Sequence, residues 1–133
     1  MCGIIGYAGS PKKLNFIVKG LESLEYRGYD SAGAACINPN GSIFIRKVKS
    51  RVANLEQIIS NVSFSTSLGI AHTRWATHGA PSVLNAHPQV DNKNTVAVVH
   101  NGIIENHFAL KEELESKGHK FVSQTDTEVI PHL

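Results

Sequence analysis

The sequence predicts an α+β fold, in which an antiparallel sheet packs against helices. Segments with the pattern of strands are interspersed with amphipathic segments of helical period. A turn at Pro39-Asn40-Gly41 joins two of the strands as a hairpin and so makes them antiparallel. No glycine-rich phosphate-binding loop follows a strand, which argues against a Rossmann fold.

Composition indicates one domain and excludes several classes of partner. The chain has 133 residues, of which 41% are hydrophobic, enough for one core. Its net charge of +2 gives no reason to expect nucleic acid or an acidic membrane surface as a partner. No apolar run would span a bilayer, and no secretory signal is visible. Two cysteines without a CxxC motif fit a reducing compartment, so we expect a cytoplasmic protein.

The first half of the chain contains three predicted strands and two helices. Strands are expected at 3–8, 32–38 and 42–48, with an ordered loop at 26–31. Ser10-Pro11 has the pattern of an N-cap and first helical residue, which predicts a helix at about 11–25. A short helix after Ser50 would carry Val52, Leu55, Ile58 and Ile59 on its apolar face.

The second half begins with a strand at 68–72, followed by a long loop at 79–93. The apolar run at 95–99 predicts a strand covered on both faces. A helix is expected at 107–117, capped by Asn106 and closed by Gly118. A short strand at 120–123 would precede a capping box at 125–128 that opens a last helix.

Cys2 is the first candidate for chemistry. Removal of Met1 would leave one terminal residue with both a thiol and a free α-amine, which can serve as the base for the thiol. The strand that follows would hold this terminus in place. The alternative is that Cys2 is a small apolar residue at the start of an edge strand.

Polar clusters at strand ends supply further candidates. Asn101-Gly102 offers a side-chain amide and a flexible backbone N–H for an oxyanion, or is a plain turn. Arg74 can hold a carboxylate, or is a solvated surface residue. Asp126 can hold an ammonium group, or occupies the first turn of the last helix because the helix dipole favours it there.

Neither a metal nor a cofactor is predicted. The seven histidines are spread over separate segments without zinc-binding spacing, so a zinc module is a remote alternative. Cys36 lies in an apolar strand among alanines and is expected in the core. Trp75, taken alone, is expected to be a packing residue.

Six stretches carry a resemblance to a known family. They are Cys2-Gly3-Ile4-Ile5-Gly6, Leu24-Glu25-Tyr26-Arg27-Gly28-Tyr29-Asp30-Ser31-Ala32-Gly33, His72-Thr73-Arg74-Trp75-Ala76-Thr77-His78-Gly79, Asn85-Ala86-His87-Pro88, Val99-His100-Asn101-Gly102-Ile103-Ile104-Glu105-Asn106 and Thr125-Asp126-Thr127-Glu128. In this order they resemble the glutaminase domains of class II glutamine amidotransferases, which are N-terminal-nucleophile hydrolases. The second and third stretches point to the glutamine–fructose-6-phosphate aminotransferases within that family.

The resemblance implies a fold and a set of roles. The fold would be a four-layer αββα sandwich of antiparallel sheets. The nucleophile would be Cys2, and the oxyanion hole would be Asn101 and Gly102. L-Glutamine would be held by Arg74 and Asp126 in a pocket lined by Thr77 and His78. Trp75 would gate the passage of ammonia, and Arg27 would support the nucleophile.

The resemblance also implies what the 133 residues lack. We expect them to be a glutaminase domain that is incomplete at its C-terminus, without the sugar-isomerising domain that binds fructose 6-phosphate. The exposed edge of such a sandwich favours association, so we expect a homo-oligomer. Two alternatives stay open, namely another class II amidotransferase and a catalytically inactive fragment.

Overall fold

A four-stranded antiparallel sheet forms the centre of the fold. The computed structural model describes residues 1–133. The strands are β1 (Gly3–Lys13), β2 (Ser31–Ile37), β3 (Ile43–Val48) and β4 (Ser65–Arg74), and they lie side by side in the order β1-β4-β2-β3. The central pair β2 and β4 holds the most buried residues of the sheet, as expected for strands that are covered on both faces.

Two helices cover one face of this sheet and form the main core with it. They are α1 (Leu14–Glu22) and α2 (Val52–Ile59), and they contact each other and the sheet. The buried cluster consists of Leu14, Ile17, Val18, Leu21, Ala32, Ala34, Cys36, Val52, Leu55, Ile59 and Ala71. In α1 these residues recur at the helical period, and in β2 they alternate, so each element turns one face inward.

A second, smaller layer lies over the other face of the sheet. It contains the two-stranded antiparallel sheet of β5 (Gln89–Val90) and β6 (Ala97–Val98) and the helices α3 (His107–Ser116) and α4 (Val129–His132). A Cβ on Gly33 of β2 would lie 1.9 Å from the His87 carbonyl oxygen, so only glycine permits the two layers to come this close. The predicted α+β sandwich of antiparallel sheets is confirmed. No helix combines the length and the hydrophobicity needed to cross a bilayer.

Two predicted boundaries near the N-terminus are wrong. Ser10-Pro11 does not open a helix, because β1 continues to Lys13 past an irregularity between Ala8 and Lys12 and pairs with β4 again. Proline is tolerated at such a break in an edge strand. Helix α1 therefore begins at Leu14 and ends at Glu22, and a 3₁₀ turn follows at Glu25–Arg27.

The predictions for the second layer were less accurate. The run at 95–99 contributes only Ala97–Val98, and both residues are half-buried. The predicted strand at 120–123 is absent, because the N–H groups of Val122 and Ser123 donate to the Glu128 carboxylate (2.8 and 2.6 Å) rather than to a strand. Asn106 precedes α3 but makes no side-chain cap bond.

The expected capping box also differs from the structure. Thr125 precedes a 3₁₀ turn, Asp126–Glu128, and then α4, and it makes no side-chain cap bond. Its N–H group donates to Ser123 Oγ instead of to Glu128. Glu128 is 1% exposed, and its carboxylate stabilises the preceding loop rather than the start of a helix.

Helix α2 provides a test of the core. We expect Leu55→Ala to lower the free energy of unfolding by about 2–5 kcal/mol, because the Leu55 side chain is fully buried and its loss leaves a cavity. Ile58 is 45% exposed on the same helix, so Ile58→Ala is the matched control and should cost less than about 1 kcal/mol. Urea unfolding followed by circular dichroism measures both, and equal losses would contradict this account of the core.

Candidate active site

The pairing of β1 with β4 places Cys2 at the end of β4. Gly3 lies opposite Thr73, and the Gly3 N–H group donates to Thr73 Oγ1 (3.0 Å). One residue earlier, Cys2 Sγ accepts a hydrogen bond from the Trp75 N–H group (3.1 Å). A Cβ on Gly3 would lie 2.8 Å from Leu24 Cβ, so glycine is needed for this approach. The thiol is thereby held against the backbone that follows Arg74.

All nine residues that the sequence indicated line a single cavity of about 380 Å³. They are Cys2, Arg27, Arg74, Trp75, Thr77, His78, Asn101, Gly102 and Asp126. The cavity lies between the two layers. Cys2 immediately precedes β1 and Arg74 ends β4 of the four-stranded sheet, whereas Asn101 and Asp126 belong to the second layer. It combines a thiol, a guanidinium group, a carboxylate and an amide.

Arg74 is buried with one nitrogen left free. It is 4% exposed, and Nη2 donates to the carbonyl oxygens of His78 and Gly79 (3.0 Å for Gly79). Nη1 is buried and has no partner. A buried donor without an acceptor is costly, so this nitrogen is well suited to an anionic ligand that enters the cavity. The alternative of a solvated surface arginine is wrong.

Asp126 places a carboxylate in the same cavity. It is 5% exposed, and Oδ2 accepts a hydrogen bond from the Ile104 N–H group (2.7 Å), whereas Oδ1 has no protein partner. The next residue, Thr127, contacts His100 Nδ1 through its hydroxyl (3.2 Å). The 3₁₀ turn therefore presents an acceptor for a cationic group in the cavity that also contains the free donor of Arg74.

Asn101 and Gly102 lie beside the backbone of Cys2. The Asn101 Nδ2 group donates to the Cys2 carbonyl oxygen (3.3 Å), and Oδ1 lies 2.8 Å from His72 Nε2. Gly102 has φ +146°, and a Cβ there would lie 2.9 Å from His100 Nε2, so this position requires glycine. The contacts of Asn101 and the backbone conformation of Gly102 thus distinguish this segment from a plain Asn-Gly turn.

The loop after β4 is held by Asp30. The Asp30 N–H group donates to the Arg74 carbonyl oxygen (2.7 Å), and its carboxylate accepts hydrogen bonds from the Ala76 N–H group and from Ser31 Oγ (2.8 Å for Ser31). Trp75 in this loop is 54% exposed, so the prediction of a buried packing residue is wrong. Its indole lies on Gly28, where a Cβ would come within 2.8 Å of the ring.

Arg27 contacts the start of the chain. Its carbonyl oxygen accepts a hydrogen bond from the Met1 ammonium group (2.6 Å), and its Nη2 lies 3.7 Å from Met1 Sδ. Met1 is 72% exposed. The structure therefore places Arg27 next to the residue whose removal would create the α-amine of Cys2.

Two buried histidines were missed as site residues by the sequence reasoning. His72 and His87 stack with their ring centroids 4.3 Å apart, and both line the cavity. Burial lowers the pKa of His72 to about 4 and that of His87 to about 2, so both are neutral near pH 7. The sequence could have indicated His72 as a site residue, because it lies two residues before Arg74 on the same strand and so on the same face of the sheet.

The histidines do not form a metal centre. No group of three or more His, Cys, Asp or Glu side chains is arranged to hold a metal ion. His119 Nδ1 contacts His132 Nδ1 (3.2 Å) in the second layer, away from the cavity.

Comparison with known proteins identifies the family. The glutamine amidotransferase domain family matches residues 42–133, which is more than half of the chain. This chain belongs to the glutamine amidotransferase family. Two solved structures share the fold over the whole chain: a glutamine phosphoribosylpyrophosphate amidotransferase from B. subtilis complexed with ADP and GMP (TM-score 0.79) and an allosteric regulatory enzyme of purine biosynthesis (TM-score 0.81). Each solved protein is 28% identical to this glutamine amidotransferase domain, and the match covers 29% of the length of each solved protein.

Curated relatives are more similar in sequence. Glutamine–fructose-6-phosphate aminotransferases (isomerizing) match all 133 residues of this glutamine amidotransferase domain: the protein from Clostridium acetobutylicum at 55% identity, that from Synechocystis at 53% and that from Bacteroides thetaiotaomicron at 51%. The chain spans only 21–22% of their length.

The stacked histidines predict a pH dependence of stability. Below pH 6.5 the unfolded chain binds protons at both histidines while the folded chain does not, so stability falls as pH falls. We expect each histidine to lower the free energy of unfolding by up to about 1.4 kcal/mol for each unit by which the pH falls in this range. Urea unfolding at pH 6.5 and 5.0 measures the slope. His87→Phe should make the slope shallower, and an unchanged slope would contradict this prediction.

Proposed function

We propose that this domain hydrolyses the side-chain amide of L-glutamine and releases ammonia. The observation that carries the proposal is the free Nη1 of buried Arg74, in one cavity with the thiol of Cys2 and the carboxylate of Asp126. The free end of an amino acid is zwitterionic and so requires one cation and one anion from its binding site. The cavity supplies both, beside a nucleophile.

Glutamine would be bound by its charged end. In this proposal, Arg74 binds the α-carboxylate through Nη1, and Asp126 binds the α-ammonium group through Oδ1. Thr77 and His78 line the same pocket. Both charged residues are at most 5% exposed, which strengthens their interaction with a ligand relative to a solvated pair. The side-chain amide would then extend towards Cys2.

The proposed reaction proceeds through a thioester. After loss of Met1, the Cys2 α-amine takes the thiol proton and the sulfur attacks the amide carbon, which gives a tetrahedral oxyanion. Collapse of this intermediate breaks the C–N bond, and the amine returns the proton to the leaving nitrogen, so that ammonia leaves. Water then attacks the γ-glutamyl thioester, which releases glutamate and restores the thiol.

The remaining residues have supporting roles in this proposal. The Asn101 side-chain amide and the Gly102 N–H group stabilise the oxyanion as donors that are fixed in advance. Trp75, exposed at the cavity, gates the passage through which ammonia leaves. Arg27 supports the N-terminal residue through the contacts that it makes with the start of the chain.

The identity of the ammonia acceptor is a further part of the proposal. We propose fructose 6-phosphate, converted to glucosamine 6-phosphate by a sugar-isomerising domain in the rest of a longer protein, with residues 1–133 as its glutaminase part. Support comes from relatives with that name at 51–56% identity, against 28% for the two solved structures. A cytoplasmic homo-oligomer is proposed for the whole protein.

Selective alkylation tests the nucleophile. We expect a diazoketone analogue of glutamine to label Cys2 once Met1 has been removed, because the analogue shares the charged end of glutamine and places its electrophilic carbon at the thiol. Peptide mass spectrometry locates the label. Cys36 provides the matched control, because it is buried in the core and Cys36→Ser should leave labelling intact. Cys2→Ala should abolish it.

The outcomes separate the alternatives. Equal labelling of chains with and without Met1 would remove the α-amine from the mechanism. Absence of any label at Cys2, together with absence of glutamine hydrolysis, would show a catalytically inactive fragment. Hydrolysis of other amides in preference to glutamine would indicate a different substrate class.

Asn101 provides a second test. Asn101→Ala should lower kcat for glutamine hydrolysis by about 10²–10³-fold, the typical effect of losing one oxyanion donor. The matched control is Asn106→Ala, because Asn106 makes no side-chain cap bond at α3 and does not line the cavity. An enzyme-coupled glutamate assay measures both rates. An unchanged rate for Asn101→Ala would remove this residue from the oxyanion hole.

A further inference from the structure

The orientation of the Asn101 carboxamide decides whether this residue can act as a donor. Its nitrogen carries two hydrogens and its oxygen carries none. One end of the amide faces the Cys2 carbonyl oxygen and the other faces His72 Nε2. A rotation of the amide by half a turn would exchange the two ends, so something must select one orientation.

The two neighbours of Asn101 select the orientation together. The Cys2 carbonyl oxygen can only accept, so the end that faces it must be the nitrogen, at 3.3 Å. The amide oxygen then faces His72, and Nε2 must donate to it across 2.8 Å. In the reverse orientation two acceptor oxygens would face each other at Cys2.

The environment of the His72 ring agrees with a proton on Nε2. Nδ1 is buried without a partner in hydrogen-bond geometry. If Nδ1 carried the proton, the nearby His100 backbone carbonyl would lie outside hydrogen-bond geometry, and a buried N–H group without an acceptor costs more than an unused lone pair. Burial lowers the pKa of His72 to about 4, which keeps the ring neutral near pH 7.

A second histidine holds this ring in place. His87 is 4% exposed and stacks on His72 with an angle of 23° between the ring planes. Its Nδ1 accepts a hydrogen bond from the N–H group of His100, the residue before Asn101 (3.3 Å). His87 therefore stacks on one partner of the bond between His72 and Asn101 and binds the backbone of the residue that precedes the other.

We propose that His72 is a positioning residue, whose Nε2–H group locks the Asn101 carboxamide in the orientation that presents N–H to the reacting amide. The inference rests on the proposed function and names the group that makes Asn101 a donor there. Of the two hydrogens on Asn101 Nδ2, the Cys2 carbonyl oxygen takes one, and the other stays available to the oxyanion. His72 itself touches no substrate atom in this proposal.

The tautomer of His72 tests the proposal without any catalysis. In a ¹⁵N-labelled chain at pH 7, long-range ¹H–¹⁵N correlation spectra distinguish a protonated ring nitrogen from an unprotonated one. We expect a neutral His72 ring with the proton on Nε2. A proton on Nδ1, or a doubly protonated ring, would overturn the proposal.

A double-mutant cycle tests whether His72 acts through Asn101. His72→Phe keeps a planar ring but removes the donor, and we expect kcat for glutamine hydrolysis to fall by about 10–100-fold with an unchanged KM. His72→Gln keeps a donor and should recover most of the rate. In an Asn101→Ala background, His72→Phe should lower kcat no further, because the group that it positions is gone.

The controls separate a catalytic effect from unfolding. Thermal unfolding of each variant shows whether it folds, and the tautomer measurement does not depend on any variant. A full additional loss of kcat in the Asn101→Ala background, or an unchanged kcat in His72→Phe, would overturn the proposal. If the wild-type chain hydrolyses no glutamine, the proposed function fails, while the tautomer of His72 still decides whether it orients Asn101.

Discussion

The register between β1 and β4 is the constraint on which the rest of the site depends. Gly3 lies opposite Thr73, so the residue before Gly3 meets the residues after Thr73. A shift by one residue would turn every side chain of β1 to the opposite face and would separate Cys2 from Trp75. The close approach of Leu24 to Gly3 explains why a residue without a side chain follows the cysteine.

The other half of the site depends on how closely the second layer approaches the sheet. Gly33 in β2 leaves room for the His87 carbonyl group, and Lys47 of β3 donates to the carbonyl oxygens of Leu84 and Pro88 (3.2 Å each). Burial lowers the pKa of Lys47 to about 8, so the ammonium group that makes these two hydrogen bonds is partly desolvated. These contacts fix the loop that carries His87, and through it the position of Asn101.

The sequence predicted the structure best where hydrophobic residues recur at a regular period or where the residues of a turn favour one conformation. The amphipathic α1 and α2 and the hairpin of β2 and β3 follow from period and turn chemistry, and Arg74 was recognisable from its place at the end of an apolar strand, whereas the strand that was predicted before Asp126 is absent. The second layer was harder to predict, because the Glu128 carboxylate binds the backbone N–H groups of Val122 and Ser123 within an irregular loop, and such contacts have no periodic pattern in the sequence. The pairing of His72 with Asn101 joins residues far apart in the chain, so no local pattern indicates it.

The small size of the second sheet has a consequence for the fold as a whole. β5 and β6 contribute two residues each, so few sheet hydrogen bonds hold this layer together, a feature typical of regions that open at a lower free energy than global unfolding. A ligand held by Arg74 on one layer and Asp126 on the other would act as a cross-link between them. Ligand occupancy would then raise the free energy needed to separate the layers, and with it the resistance of the chain to proteases.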